Sequence, residues 1–346
     1  MTFDLELLDN LVTAGWLRRA RHPEADLWIY NYTERAQYEN HWTPETLACR
    51  GLILDAAGGI IARPFPKFFN HGTPQAGPVP DGRFIVTEKI DGSLGIVYDL
   101  DGEQHIATRG SFTSEQAVVG TRMLREQRLE PTPHATTLFE IVYPENRIVV
   151  DYGDRAELVL LGAVEKATGR DARLPMWSGR TVSHYGCDTV DELDFGDERN
   201  REGFVLTWPD AGHRRKIKLD EYVRLHRVVT GINARSVWES MRDGDDLDGL
   251  LQGVPDEIFD WVTRTRTDLL AAFNDEADRA LQVYAGTPDG AHRREIAEYY
   301  KASGANTAVL FRMVDLKPYD DLIWKAIKPA AGVYPGAATS GRSSGA

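Results

Sequence analysis

Short apolar runs broken by Gly, Asp, Asn and Pro dominate the first 230 residues. Leu27–Tyr32, Gly51–Asp55, Phe84–Thr87, Leu94–Tyr98, Thr137–Tyr143, Arg147–Val150, Leu158–Ala163 and Gly203–Thr207 are rich in β-branched or aromatic residues. That pattern predicts strands bounded by turns. Two segments instead carry helical periodicity, Asp4–Arg19 and Ser114–Arg128, the second capped by Thr113 or Ser114. After about Thr230 the texture changes. From Pro255 to about Tyr284, the residues Ile258, Trp261, Val262, Leu269, Leu270, Phe273, Ala277, Ala280, Leu281 and Tyr284 recur at three- and four-residue steps. They predict one long helix with proline in its first turn. Shorter helices are expected at Ala291–Ala302, Asn306–Leu316 and Asp320–Lys328, and the Gly/Ala/Ser-rich tail from Pro329 is expected to be disordered. The pattern therefore predicts an α+β chain with a strand-rich domain at 1–230, a helical domain at 231–328 and a tail at 329–346.

Composition narrows the class. With 346 residues, 42% hydrophobic and 27% charged, the chain can bury a sizeable core. Two cysteines, Cys49 and Cys187, are too few for a disulfide framework or a cysteine-based zinc site. The acidic start Met1–Glu6 has no basic leader, and no apolar run reaches the roughly 18 residues of a membrane helix. The expected compartment is the cytoplasm, with no membrane partner and a monomeric chain. A net charge of -13 excludes non-specific coating of nucleic acid. The charge is uneven, though. Glu239–Asp289 holds 13 acids against four bases, whereas His213–Lys218 is basic without an intervening acid.

The stretch Glu88-Lys89-Ile90-Asp91-Gly92-Ser93-Leu94 carries the sharpest chemical signal. By itself it reads as a β-hairpin with an Asp-Gly turn and an exposed lysine. Other residues change its meaning. Arg50 precedes an apolar strand, Lys67 stands beside Phe68 and Phe69, Glu140 and Glu202 lie in or beside apolar strands, and Lys216-Ile217-Lys218 puts two ammonium groups on one strand face. Each taken singly is an ordinary surface charge. Together they need one another: buried carboxylates require partners, and converging cations require an anion. A triphosphate with a divalent metal meets both demands, and Lys89, once deprotonated, is a competent nucleophile.

Lys89-x-Asp91-Gly92, then Phe139-Glu140, Glu202-Gly203 and Lys216-x-Lys218 resemble, in that order, the covalent nucleotidyltransferase superfamily of ATP-dependent ligases and capping enzymes. Arg50-Gly51, Lys67-Phe68-Phe69-Asn70 and Pro144–Val149 narrow the resemblance to the RNA ligase family typified by phage T4 RNA ligase 1. It covers about Arg50 to Leu225. It implies a nucleotidyltransferase domain of antiparallel sheets with flanking helices, followed by a helical domain involved in substrate choice. It further implies that Lys89 accepts AMP from ATP, that Glu140 contacts the ribose and that Glu202 assists a magnesium or manganese ion. Lys216 and Lys218 would neutralise the α-phosphate. Arg50, Lys67, Phe69, Glu88, Ile90, Asp91, Gly92, Arg109 and Tyr222 would complete the ATP site, Arg109 standing where the family has lysine. The implied reaction joins RNA 3′-hydroxyl and 5′-phosphate ends, with cleaved tRNA among the candidate substrates. The alternatives are a DNA ligase or other covalent nucleotidyltransferase, and a non-catalytic RNA-end binder.

Overall fold

In the computed structural model, residues 2–127, 129–130, 132–187, 189–192, 199–244 and 256–329 are described. The chain divides into two compact units, Met1–Val229 and Thr230–Ala346.

The first unit is built on three sheets. Strands β1 (Leu17–Arg21), β2 (Leu27–Tyr32), β3 (Arg50–Asp55) and β4 (Ile60–Ala62) form an antiparallel meander. A second antiparallel sheet has the order β10-β9-β7-β8, from β7 (Ser93–Leu100), β8 (Glu103–Ala107), β9 (Ala135–Val142) and β10 (Glu157–Glu165). The third runs β11-β6-β12-β13-β5, from β5 (Phe69–Asn70), β6 (Ile85–Lys89), β11 (His184–Tyr185), β12 (Gly203–Trp208) and β13 (His213–Lys218). Only its β13–β5 pairing is parallel. Alternation explains the layering. Leu27, Ile29 and Ile53 on one face of the meander meet Ile96, Tyr98, Ala107 and Leu138 of the second sheet. The opposite face, with Tyr30, Leu52 and Leu54, packs on Leu8 of helix α1 (Leu5–Thr13). The second sheet's outer face takes Met123 and Leu124 of another helix, Glu115–Arg125, which Ser114 caps.

The α+β class with antiparallel sheets agrees with the sequence pattern; three local expectations do not. The helix expected over Asp4–Arg19 stops at Thr13, because Gly15 turns with φ +78 and Leu17–Arg21 then pairs with β2. Arg147–Val150 is not a strand. The backbone amides of Val149 and Val150 donate to the Asp91 carboxylate, so the segment wraps that side chain instead of joining a ladder. Finally, Glu88–Leu94 is no hairpin. Strand β6 pairs with β11 and β12, while β7 pairs with β8 and β9, so Ile90–Gly92 crosses from one sheet to the other.

A helix at Asp220–Thr230 follows β13. The described part of the second unit is helical, at Ala234–Asp243, Asp256–Ala285, Arg293–Ser303, Thr307–Val314 and Asp320–Ala326. Asn233 accepts from the amides of Arg235 and Ser236 to start the first of these, and Gly244 in the left-handed region ends it. Pro255, expected to open the long helix, and the tail from residue 330 lie outside the described residues. The aromatic stripe of the long helix is core: Ile258, Phe259 and Val262 bury against Val237 and Trp238.

Candidate active site

Lys89 is the last residue of β6, and Gly203, the first of β12, lies opposite both Lys89 and Lys218 in the ladders. Gly203 has φ +151, and a Cβ there would run into the carbonyl of Ile217. The residue before it, Glu202, is thereby seated between the two lysines. Its Oε2 is 2.7 Å from Lys89 Nζ and its Oε1 is 3.4 Å from Lys218 Nζ. Glu202 is buried, at 4% exposure, and burial alone would raise its pKa. Lys89, Lys218 and Lys216 outweigh that, so the carboxyl is held below its usual range and stays ionised. The ladder thus brings Lys89, Glu202, Lys216 and Lys218 into one electrostatic cluster.

Glu140 lies opposite Leu94 near the end of β9. Burial pushes its pKa up to about 8, Glu202 and Asp91 add to the rise, and Lys89 and Arg50 oppose it. At neutral pH the Glu140 carboxyl is therefore largely protonated, able to donate as well as accept a hydrogen bond.

Three further cations, Arg50 of β3, Lys67 and Arg109, gather around Tyr32 and Gly51. Lys67 is 7% exposed, and its Nζ lies 5.4 Å from the ring centres of Tyr32 and Trp42 and 5.5 Å from that of Phe69. A desolvated cation in such a cage gains roughly 0.5–2 kcal/mol per ring face. Arg109 Nη1 donates to the Tyr32 hydroxyl at 3.4 Å, and the Arg50 guanidinium is 5.8 Å from the Phe68 ring. Arg50 and Arg109 are neighbours through Gly51, where a Cβ would come within 3.2 Å of the Arg109 backbone.

The remaining expected site residues serve the crossing segment. Asp91 is 4% exposed, and its Oδ2 accepts from Val149 N at 2.9 Å and Val150 N at 2.8 Å. Its Oδ1 accepts from the Tyr222 hydroxyl at 2.7 Å, and its own amide donates to the Tyr152 hydroxyl at 2.9 Å. Asp91 and Tyr222 therefore fix the loop behind Lys89, and the Tyr222 ring also lies 5.4 Å from Lys218 Nζ. Ile90 buries its side chain with Val142, Val159 and Val182, and Gly92 is pressed on the β9 backbone. Glu88 is paired at 2.9 Å with Arg180, which also reaches Glu157. Sequence reasoning missed Tyr32, Trp42, Tyr152 and Arg180. Tyr32 and Trp42 had a signal, as aromatic residues preceding the Arg50 strand; Arg180 sits in an irregular segment with none.

Among the described residues no group of three His, Cys, Asp or Glu side chains is placed to hold a metal ion. Both Glu202 oxygens already face ammonium groups. The described residues do not make a resident metal centre. Likewise, no helix among the described residues is long and apolar enough to cross a membrane.

A lysine at the end of one sheet, sharing a buried glutamate with the Lys218 strand, is an arrangement suited to nucleophilic attack on a phosphate. Comparison with known proteins adds a likeness: residues 48–205 match the model of the RNA ligase family. A protein of Autographa californica nuclear polyhedrosis virus, named for both a polynucleotide kinase and an RNA ligase, is 28% identical over 63% of this chain and 36% of its own length. RNA ligase 1 of bacteriophage TS2126 is 28% identical over 68% of this chain and 65% of its own. The chain thus spans about a third of the viral relative and just under two thirds of the phage enzyme. Among solved structures, an archaeal ATP-dependent RNA ligase aligns with a TM-score of 0.43 at 15% identity, covering 86% of each chain.

Proposed function

We propose that the chain is an ATP-dependent RNA ligase that joins 3′-hydroxyl and 5′-phosphate ends through lysyl-AMP and RNA-adenylate intermediates. The observation that carries this reading is the sharing of Glu202 between Lys89 and Lys218, 2.7 and 3.4 Å away. It orients the Lys89 side chain and sets a second cation where charge develops on an α-phosphate. In the first step Lys89 Nζ, having released a proton, bonds to the α-phosphorus while the bond to the bridging oxygen breaks and its electron pair leaves with pyrophosphate. Lys216 and Lys218 stabilise the charge on the α-phosphate. Once Lys89 carries AMP it is no longer an ammonium, and Glu202 loses one of its two partners. Glu140, protonated at neutral pH, suits a sugar hydroxyl as donor and acceptor at once. Arg50, Lys67 and Arg109 supply positive charge for the terminal phosphates. Magnesium or manganese would arrive as the counter-ion of the triphosphate and neutralise its charge.

The second step moves AMP to an RNA 5′-phosphate, and in the third a 3′-hydroxyl displaces AMP. Cleaved tRNA loops are natural substrates for such chemistry. The test is labelling with α-labelled ATP. Wild type should retain the label on denaturing gels and Lys89→Ala should lose it entirely; equal labelling of the two would refute the assignment. Sealing assays on RNA against DNA ends then separate an RNA ligase from a DNA ligase.

A further inference from the structure

Asn31, in β2, is 1% exposed, and among the described residues neither its Nδ2 nor its Oδ1 has a hydrogen-bond partner. Proteins seldom leave both ends of a buried amide unmet, because each such group has lost its water without replacement. Its surroundings show what would satisfy it. Asn31 lies directly opposite Arg50 in the β2–β3 ladder, at a register shift between Tyr30 and Asn31. A Cβ on Gly110 would be 4.0 Å from Nδ2, so the amide faces the turn that carries Arg109. The next residue, Tyr32, belongs to the Lys67 cage and takes the Arg109 hydrogen bond. Trp42, 5.2 Å from Tyr32 between ring centres, has a buried indole N–H that also finds no partner among the described residues. One unpartnered donor thus stands beside Arg50 and the turn of Arg109, and a second, Trp42, beside Lys67. A neutral base would not need three cations; a chain of phosphates offers many acceptors and the matching charge.

We propose that Asn31 is a further substrate-contacting residue, its Nδ2 donating to an oxygen of the β- or γ-phosphate of ATP, the portion that leaves as pyrophosphate. Its Oδ1 then accepts from the Arg50 or Arg109 guanidinium that the phosphates draw inward. The assignment rests on the ligase reading above, and it makes Asn31 specific to the first step. Lys89 forms its bond to the α-phosphorus only in that step, and only there does pyrophosphate depart.

Full-length Asn31→Ala and Asn31→Asp separate the possibilities. Two rates are compared with wild type: lysyl-AMP formation from α-labelled ATP, and sealing of chemically pre-adenylylated RNA, which carries no pyrophosphate. Asn31→Ala should melt at or above the wild-type temperature, form lysyl-AMP about tenfold more slowly at limiting ATP, and seal pre-adenylylated RNA at the wild-type rate. Asn31→Asp, which sets a carboxylate against phosphate, should be slower still in the first step alone. Equal lysyl-AMP rates in wild type and Asn31→Ala would overturn the proposal, as would a lower melting temperature with equal losses in both steps. A wild type that takes no label overturns the ligase reading itself, and this assignment with it.

Discussion

Two glutamates of the site show how far position overrides residue type. Glu202 is buried and Glu140 half-buried, yet the more buried one is held ionised and the other protonated. The difference is contact. Glu202 has an ammonium on each oxygen, whereas Glu140 feels Lys89 and Arg50 only as one influence against burial and two other carboxylates. The consequence for stability is opposite to the usual carboxylate case. A pKa of about 8 in the folded protein against an ordinary value in the unfolded chain means that the folded state binds the extra proton. Glu140 therefore costs the fold nothing below about pH 4.5, where it is protonated in both states, and destabilises it progressively as pH rises from there to about 8. Glu140→Gln cannot ionise. Its melting temperature, measured from pH 5 to pH 8.5 without nucleotide, should fall less steeply than that of wild type and exceed it at the alkaline end. Parallel profiles would show that Glu140 does not titrate as described.

At the scale of elements, the crossing between β6 and β7 decides whether the site exists. Lys89 ends one sheet, Ser93 begins another, and three residues must span the gap while keeping Lys89 aimed at Glu202. Ile90 anchors the segment in the core, Asp91 collects three hydrogen bonds from the loop at Val149–Val150 and from Tyr222, and Gly92 lies against β9. A Cβ on Gly92 would be 2.6 Å from the Ile141 carbonyl oxygen and 3.1 Å from Glu140 Cγ. Backbone cannot yield as a side chain can, so Gly92→Ala must lift the segment. It should cost about 1–3 kcal/mol in urea unfolding and slow lysyl-AMP formation at least about tenfold. Gly186→Ala, where a Cβ meets nothing within 4 Å, is the control and should change neither. This element also marks how far the sequence could be read. The motif Lys89-x-Asp91-Gly92 stood out because its spacing is local, and so did Lys216-x-Lys218 on one strand. Which strands they join was not legible: an Asp-Gly pair between two apolar runs is the commonest hairpin signal, and only long-range pairing reveals a crossover instead. The Arg147–Val150 segment misled for a related reason, since its β-branched pair serves Asp91 through backbone amides that no side-chain pattern reports.

For the whole molecule, the division into Met1–Val229 and Thr230–Ala346 separates two cores. One is a set of interlocked sheets closed by long-range pairings; the other, where described, is helices joined by local contacts. Units with their own cores melt as separate cooperative transitions unless an interface couples them. Every side chain assigned above to ATP, from Asn31 to Tyr222, belongs to the first unit. A ligand stabilises what it binds, by about 2.7 kcal/mol at a hundredfold excess over its dissociation constant. Calorimetry of the full chain with a non-hydrolysable α,β-substituted ATP analogue should therefore show two transitions, with the analogue raising one and leaving the other in place. Lys89→Ala keeps most of the proposed binding surface and should retain much of that rise, because a nucleophile, the role proposed for Lys89, is needed for bond formation more than for nucleotide affinity. If the analogue raised the helical unit's transition and left the other in place, the assignment of the site to the first unit would fail.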